Sequence, residues 1–477
     1  MVITLKSTLR SLLAAFALLV VGSASAQAAT NQTVFFEAPR DLTAVGSQPA
    51  TDATRAAAFA DFERLGVKAL RVNLRWYDVA PDRDLGTKPS ADLTQPSSYN
   101  WFPYTAVIDT AKAKGWTVLI SLSAPVPKWA TTAKADNYTR PVPAEFRAFA
   151  TAAARQFGGP TVIWSIWNEP NLETFLKPQL SSGKPVSPAI YRALYVAGRD
   201  GIKVDAGLST TKVLFGETAP VGGAGTRDRI YPLQFLREAL CLTAKYKLDK
   251  RCGSKLAIDG LAHHPYQFTN GKLTAQDVTY RSMPRLVSFL DKAAKGKAIQ
   301  AGVPIYFTEF GIQSTPEPTF AVTPLAQYQV RARAERTAFY NKRVKGFSQY
   351  LLTDDADLGG FQTGLRYATG KAKPAFNAFR LTLDAKPGKG SKPKSSLWGL
   401  VRTATDPTPV TVQVSTGGAF KKLKSVTTNR LGAFTLTDRY RKGARYRFQL
   451  TTPEGTLTSP YVVPFKDWLP PNAIPKR

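Results

Sequence analysis

Eight times between residues 33 and 352 the chain repeats one unit, a short run rich in β-branched and aromatic residues followed by a longer helical pattern. The runs are 33–38 (TVFFEA), 69–76 (ALRVNLRW), 116–124 (WTVLISLSA), 162–170 (VIWSIWNEP), 212–218 (KVLFGET), 257–266 (AIDGLAHHPY), 304–311 (PIYFTEFG) and 344–352 (VKGFSQYLL). Most are nearly continuous apolar stretches, as strands covered on both faces must be. Helical periodicity fills the gaps, at 55–65, 105–114, 144–157, 188–205, 232–245 and 325–343. Strand–helix alternation repeated eight times predicts a (β/α)8 barrel. The rival is a doubly wound open sheet. It needs a Gly-rich phosphate loop after an early strand, and no such loop is present.

The pattern changes after residue 383. Segment 384–396 (DAKPGKGSKPKSS) has linker composition. Beyond it, 409–415, 432–437 and 446–451 alternate apolar and polar residues with turn residues between them, which predicts a small β-sandwich. The expected organisation is therefore a barrel over 30–383, a linker over 384–396 and a sandwich over 397–477.

Residues 1–28 stand outside the fold. Lys6 and Arg10 give a positive start, 12–21 is an apolar stretch, and Ala24, Ser25 and Ala26 supply small residues for cleavage. That order predicts a secretory signal and an exported chain. No apolar run reaches the roughly 18 residues a membrane span needs. In an oxidising compartment Cys241 and Cys252, eleven positions apart, are expected to close a loop; two free thiols are the alternative. Two His and two Cys leave almost nothing for a zinc site.

Lys and Arg number 64 against 34 Asp and Glu, a net charge of +30. The excess is spread along the chain, not gathered in a stripe with stacking aromatics, which argues against a nucleic-acid partner. Solvated surface charge is the plainest reading. The stretch from Ala385 onward carries 17 basic and 4 acidic residues. If that domain has a partner, an anionic cell-wall polymer or acidic polysaccharide fits it.

Working residues of such a barrel sit at the C-terminal ends of its strands. Those ends carry Glu37, Arg71, Asn73, Asn168, Glu169, Glu217, His263, His264, Tyr266, Glu309, Gln349 and Tyr350, with Trp76, Trp129 and Trp167 nearby. Carboxyl groups ringed by aromatic faces suit glycosidic bond cleavage: one protonates the leaving oxygen and another attacks or activates water. Any single strand-end Glu is as easily a rim salt bridge, so the local context decides.

Two contexts do so. Residues 163–171 read IWSIWNEPN and 305–311 read IYFTEFG. The chain thereby resembles clan A of the glycoside hydrolases, and is similar to the family 5 and family 39 types. The resemblance implies that Glu169 is the acid/base and Glu309 the nucleophile of a retaining reaction. It further implies that Arg71 and Tyr266 hold the nucleophile, that Asn168 bonds the sugar, and that His264 supports the site. Trp76 and Trp129 are expected to stack on sugar, as is Tyr350, which stands where many relatives have Trp. Glu217 has no role in the clan pattern and is expected to form a rim salt bridge. The substrate would be a carbohydrate, with no metal or other cofactor. The alternative is a barrel that binds glycan without cleaving it.

Overall fold

The computed structural model describes residues 32–46, 49–223, 229–267, 273–389, 393–453 and 455–475. The expected signal segment 1–28 lies outside the described residues. Eight parallel strands close a barrel: β1 (Thr33–Glu37), β2 (Ala69–Arg75), β3 (Thr117–Ser123), β4 (Val162–Ile166), β5 (Val213–Thr218), β6 (Leu261–His263), β7 (Ile305–Phe307) and β8 (Val344–Tyr350). Each strand pairs with its sequence neighbours, and β1 pairs with β8 to close the ring. All eight predicted runs are strands. β6 and β7 are shorter than their apolar runs, because the chain leaves the sheet there to deliver His264, Tyr266 and Glu309 to the mouth.

A helix follows every strand: α1 (Asp52–Leu65), α2 (Phe102–Ala113), α3 (Pro143–Phe157), α4 (Ser187–Asp200), α5 (Pro232–Ala239), α6 (Pro284–Lys295), α7 (Pro324–Phe339) and α8 (Pro374–Arg380). All but α1 begin with Pro in the first turn, where its missing N–H costs nothing. α1 instead carries a reciprocal Thr51–Thr54 capping box and ends at Gly66 in the left-handed conformation.

The strand period of two sorts the barrel interior into layers. Phe35, Ala69, Leu119, Leu214, Ala262 and Tyr306 form a dry layer. Gly346 completes it on β8, where a Cβ would lie 2.7 Å from Tyr306 and 2.9 Å from Phe35. Two residues further along the strands the inward positions turn polar, with Glu37, Arg71, Ser121, Ser165, His264 and Thr308 all buried. That polar layer is the floor of the site.

The C-terminal region is a two-sheet sandwich. One sheet holds β9 (Leu381–Pro387), β10 (Lys394–Val401) and β13 (Ala433–Arg439). The other holds β11 (Pro409–Ser415), β12 (Lys421–Thr427), β14 (Arg445–Thr452) and β15 (Gly455–Thr458). Segment 384–396 is therefore not a free linker. β9 and β10 pair antiparallel, with Asp384 opposite Trp398 and Lys386 opposite Ser396. Ala385 and Ser395 are buried in the sheet, and residues 390–392 of the segment lie outside the described residues. Cys241 and Cys252 form a disulfide beyond α5. Among the described residues no helix is long and apolar enough to cross a membrane.

Candidate active site

The acid/base candidate sits on an irregular stretch. β4 ends at Ile166, and Trp167 (φ +75°) and Glu169 (φ +41°) take left-handed backbone conformations that non-glycine residues seldom adopt. The turn is anchored from both sides. Trp167 is buried and donates its indole N–H to Phe175 O at 3.0 Å. The Glu169 backbone N–H donates to Glu217 O at 2.8 Å.

Glu217 has its own irregularity. β5 breaks register against β6 between Gly216 and Thr218, so the chain carries one extra residue there. A bulge of this kind re-aims a side chain, and here it turns Glu217 (φ +50°) into the polar layer. Gly216 (φ +118°) makes the bulge possible, since a Cβ on it would sit 2.5 Å from Ala262 O.

Arg71 gathers four acceptors. Its Nη1 donates to Glu37 and to Glu309 Oε1 (2.6 Å), and its Nη2 to Asn168 Oδ1 and Glu217 Oε2 (each 3.0 Å). Tyr266 O–H donates to Glu309 Oε2 at 3.1 Å. His264 stands between two carboxyl groups, with Nδ1 2.9 Å from Glu169 Oε1 and Nε2 2.7 Å from Glu217 Oε2. Its Nδ1 is also 3.6 Å from Glu309 Oε2.

These contacts set the protonation states. Burial pushes the Glu169 carboxyl above its ordinary value, against the opposing pull of His264. Glu37 rises to about 8, because burial outweighs the attraction of Arg71. Glu217 goes the other way, down to about 2: it is equally buried, but Arg71, His264 and Ser165 all favour its charged form. His264 rises to about 10 despite burial, since Glu309, Glu169 and Glu217 surround it. Its neighbour His263 falls to about 3, because burial and the nearby His264 outweigh the Val278 carbonyl and the Glu217 charge. Two adjacent histidines are thus held in opposite states.

Glu169, His264 and Glu309 each offer an atom within 4.8 Å of the others, a spacing a metal ion could bridge. Both His264 nitrogens also lie within hydrogen-bond distance of carboxylate oxygens.

Of the residues expected at the site, Arg71, Asn168, Glu169, Tyr266, Glu309 and Tyr350 line one cavity of about 500 Å³ at the barrel mouth, and His264 lies beneath it. Trp76 and Trp129 do not line it. They pack edge-to-face at 5.6 Å, Trp76 stacks on Phe149 at 5.0 Å, and both are buried behind the strands. A strand-end aromatic does not declare which side of the sheet wall it serves, and here the wall claims both. Phe175 and Phe361 join Tyr266 and Tyr350 in the aromatic lining, with Phe361 packed edge-on to Tyr350 at 5.1 Å. Both Phe residues lie in loops, without a strand to announce them. The expected rim role of Glu217 is also corrected: it is a fully buried member of the site's hydrogen-bond network.

The barrel and the family it matches define the class: a glycoside hydrolase, an enzyme acting on O-glycosyl compounds. Residues 29–180, about a third of the chain, match the family model described as Cellulase (glycosyl hydrolase family 5). That stretch includes Arg71, Asn168 and Glu169. Among solved structures, a glucosidase from Croceicoccus marinus shares the fold at TM-score 0.52 and 12% identity, over 88% of this chain and 95% of that one. A β-glucuronidase from Bacteroides uniformis aligns at TM-score 0.47 and 12% identity, over 92% of this chain and 46% of that one. A β-glucosidase from Thermotoga maritima aligns at TM-score 0.42 and 16% identity, over 67% and 83%. No curated protein sequence matches the chain.

Proposed function

We propose that the protein is an exported retaining glycosidase that cleaves β-O-glycosidic bonds in a polysaccharide or oligosaccharide by double displacement. The observation that carries this reading is the spacing of the two carboxyl groups: one oxygen of Glu169 and one of Glu309 lie within 4.8 Å. Retaining chemistry uses carboxyl groups about 5–5.5 Å apart, whereas inversion needs roughly 6.5–9.5 Å to admit a water between them.

In the first step a Glu309 carboxylate oxygen attacks the anomeric carbon as the bond to the leaving oxygen breaks. Glu169, whose carboxyl burial pushes above its ordinary value, gives its proton to that oxygen. In the second step Glu169, now a carboxylate, takes a proton from water as the water displaces Glu309 from the same carbon. Arg71 and Tyr266 hold the Glu309 oxygens in place. Asn168, itself fixed by Arg71, faces the cavity where a sugar hydroxyl would lie.

Hydrolysis of a panel of aryl β-glycosides and soluble polysaccharides by wild type and Glu309→Ala tests the reading. The expected result is turnover that falls by about 10³-fold or more in the variant. Wild-type turnover that survives in Glu309→Ala would refute it. Glycan affinity with no turnover in either protein would point to a binding barrel.

One sheet of the sandwich is uniformly basic. Strands β11, β12, β14 and β15 carry Lys421, Lys422, Lys424, Arg445 and Arg447 and no acidic residue. Arg447 also lies over the Phe420 ring at 4.1 Å. This supports an acidic polysaccharide as the partner of that sheet. Co-sedimentation with insoluble anionic polysaccharide should be lost by about 0.5 M salt and in Lys421→Glu/Lys422→Glu.

A further inference from the structure

We infer that Glu217 is a positioning residue for the acid/base group: it holds His264 as a cationic donor aimed at Glu169 and locks Glu169 to the strand that bears the nucleophile. The inference rests on the two-Glu reading above. It concerns a residue that makes no direct contact with the carboxyl group whose chemistry it controls.

The geometry is dense. One Glu217 carboxylate receives side chains from five other strands or their ends. Ser121 and Ser165 donate to Oε1, while Arg71, Thr308 and His264 reach Oε2 at 3.0, 2.9 and 2.7 Å. Glu217 grips Glu169 by two routes. Its backbone carbonyl takes the Glu169 amide hydrogen at 2.8 Å, and its side chain acts through His264, whose Nδ1 lies 2.9 Å from the Glu169 carboxyl. A third route, through Thr308, reaches the residue just before Glu309. A rim salt bridge would need neither the bulge nor five partners. The bulge at Gly216–Thr218 is a local departure from strand geometry whose one visible product is this contact set.

The chemistry follows from the ring's two nitrogens. With an ionised Glu217 at Nε2, His264 keeps both protons and presents Nδ1–H to Glu169. Donation to a carboxyl group favours its ionised form, which must be regained each time the leaving oxygen takes the proton. The same N–H fixes the carboxyl's orientation. The charged and titratable groups around His264 are Glu169, Glu217 and Glu309 in contact, with Arg71, Glu37 and the neutral His263 beyond them. Glu217 is the only one of the three contacting carboxyl groups that does not line the cavity.

Glu217→Gln retains the size and an acceptor oxygen while removing the charge. Measured on aryl β-glycosides, it should lose about tenfold or more in kcat/KM with poor leaving groups, which need the Glu169 proton. It should lose little with dinitrophenyl leaving groups, which do not. The alkaline limb of its pH profile should move up by about one unit, because Glu169 no longer faces an imidazolium. The loss should vanish in the His264→Gln background. Equal losses for all leaving groups, an unmoved alkaline limb, or an undiminished effect in His264→Gln would each overturn the inference. If Glu217→Gln does not fold, His264→Gln alone must show the leaving-group dependence, and its absence would overturn the inference equally. Azide rescue of Glu169→Ala separates the two levels. Rescue with a null result at Glu217 sinks only this inference, while an active Glu169→Ala that ignores azide and leaving group sinks the acid/base assignment beneath it.

Discussion

Arg71 is one guanidinium spread over four acceptors, and no other side chain present could make that set of contacts. A lysine would keep the charge but offer a single ammonium, unable to serve the Glu37–Glu309 side and the Asn168–Glu217 side together. Arg71→Lys is therefore expected to fold, by its circular dichroism spectrum, and to lose about 10²-fold or more in kcat/KM. The protonation states have a thermodynamic counterpart. Glu217, depressed to about 2, adds stability above the ordinary carboxylate range that is lost as pH falls through about 2. His264, raised to about 10, adds stability that is full below the ordinary imidazole value and is lost as pH rises toward and through 10. Glu37, raised to about 8, opposes folding increasingly as pH climbs from the carboxylate range to 8. The last two act in the same direction, so Tm should fall from about pH 7 to 10, while on the acid side the Glu217 contribution should be lost progressively as pH falls from the ordinary carboxylate range to about 2. A Tm that is flat across pH 7–10 would contradict the charged state assigned to His264.

Elements decide which residues can take part at all. Trp76 heads the short helix Trp76–Val79, which turns away from the mouth, so its indole joins Trp129, Phe146 and Phe149 behind the wall. Trp76→Ala should cost about 3–5 kcal/mol in denaturant unfolding and leave KM unchanged in the folded fraction. Phe361→Ala, on the cavity wall, should raise KM by about tenfold with a much smaller stability loss. The contrast reflects what the sequence could express. The eight strands were legible because a buried parallel strand must be apolar along its whole length. Glu169 and Glu309 were legible because they sit in short local contexts. Glu217 was not, since its place depends on a one-residue register slip between β5 and β6, and nothing in KVLFGET specifies a slip beyond its Gly. The β9–β10 hairpin was hidden for the opposite reason: turn-forming composition outweighed the few alternating apolar residues on either side of it. Phe175 and Phe361 carry no periodic signal at all.

At the scale of the whole molecule the sandwich is a cover for the barrel and not a tethered module. α7 buries 13 of its 16 residues, because one face packs on the barrel and the other on the sandwich. Its buried face toward the sandwich is charged. Arg333 donates to Asp384 Oδ1 at 2.8 Å and to Ala385 O at 2.8 Å, and lies 3.9 Å over the Phe465 ring. Arg336 reaches Asp384 Oδ2 at 3.0 Å, and Arg402 returns from the sandwich to Glu335 at 2.7 Å. Asp384 is the shared acceptor of two guanidinium groups and is itself buried. Removing one partner of a buried ionic cluster leaves the others desolvated and uncompensated, at a cost of roughly 3–5 kcal/mol. Asp384→Asn should therefore lower Tm by several degrees while leaving KM for any substrate of the barrel unchanged. Because α7 is common to both cores, calorimetry should show one transition in wild type and one, shifted down, in the variant. Two separated transitions, with only the smaller one moving, would mean that the barrel does not depend on the sandwich. The clustered arginines of α7 would then be a docking interface and not part of a single core.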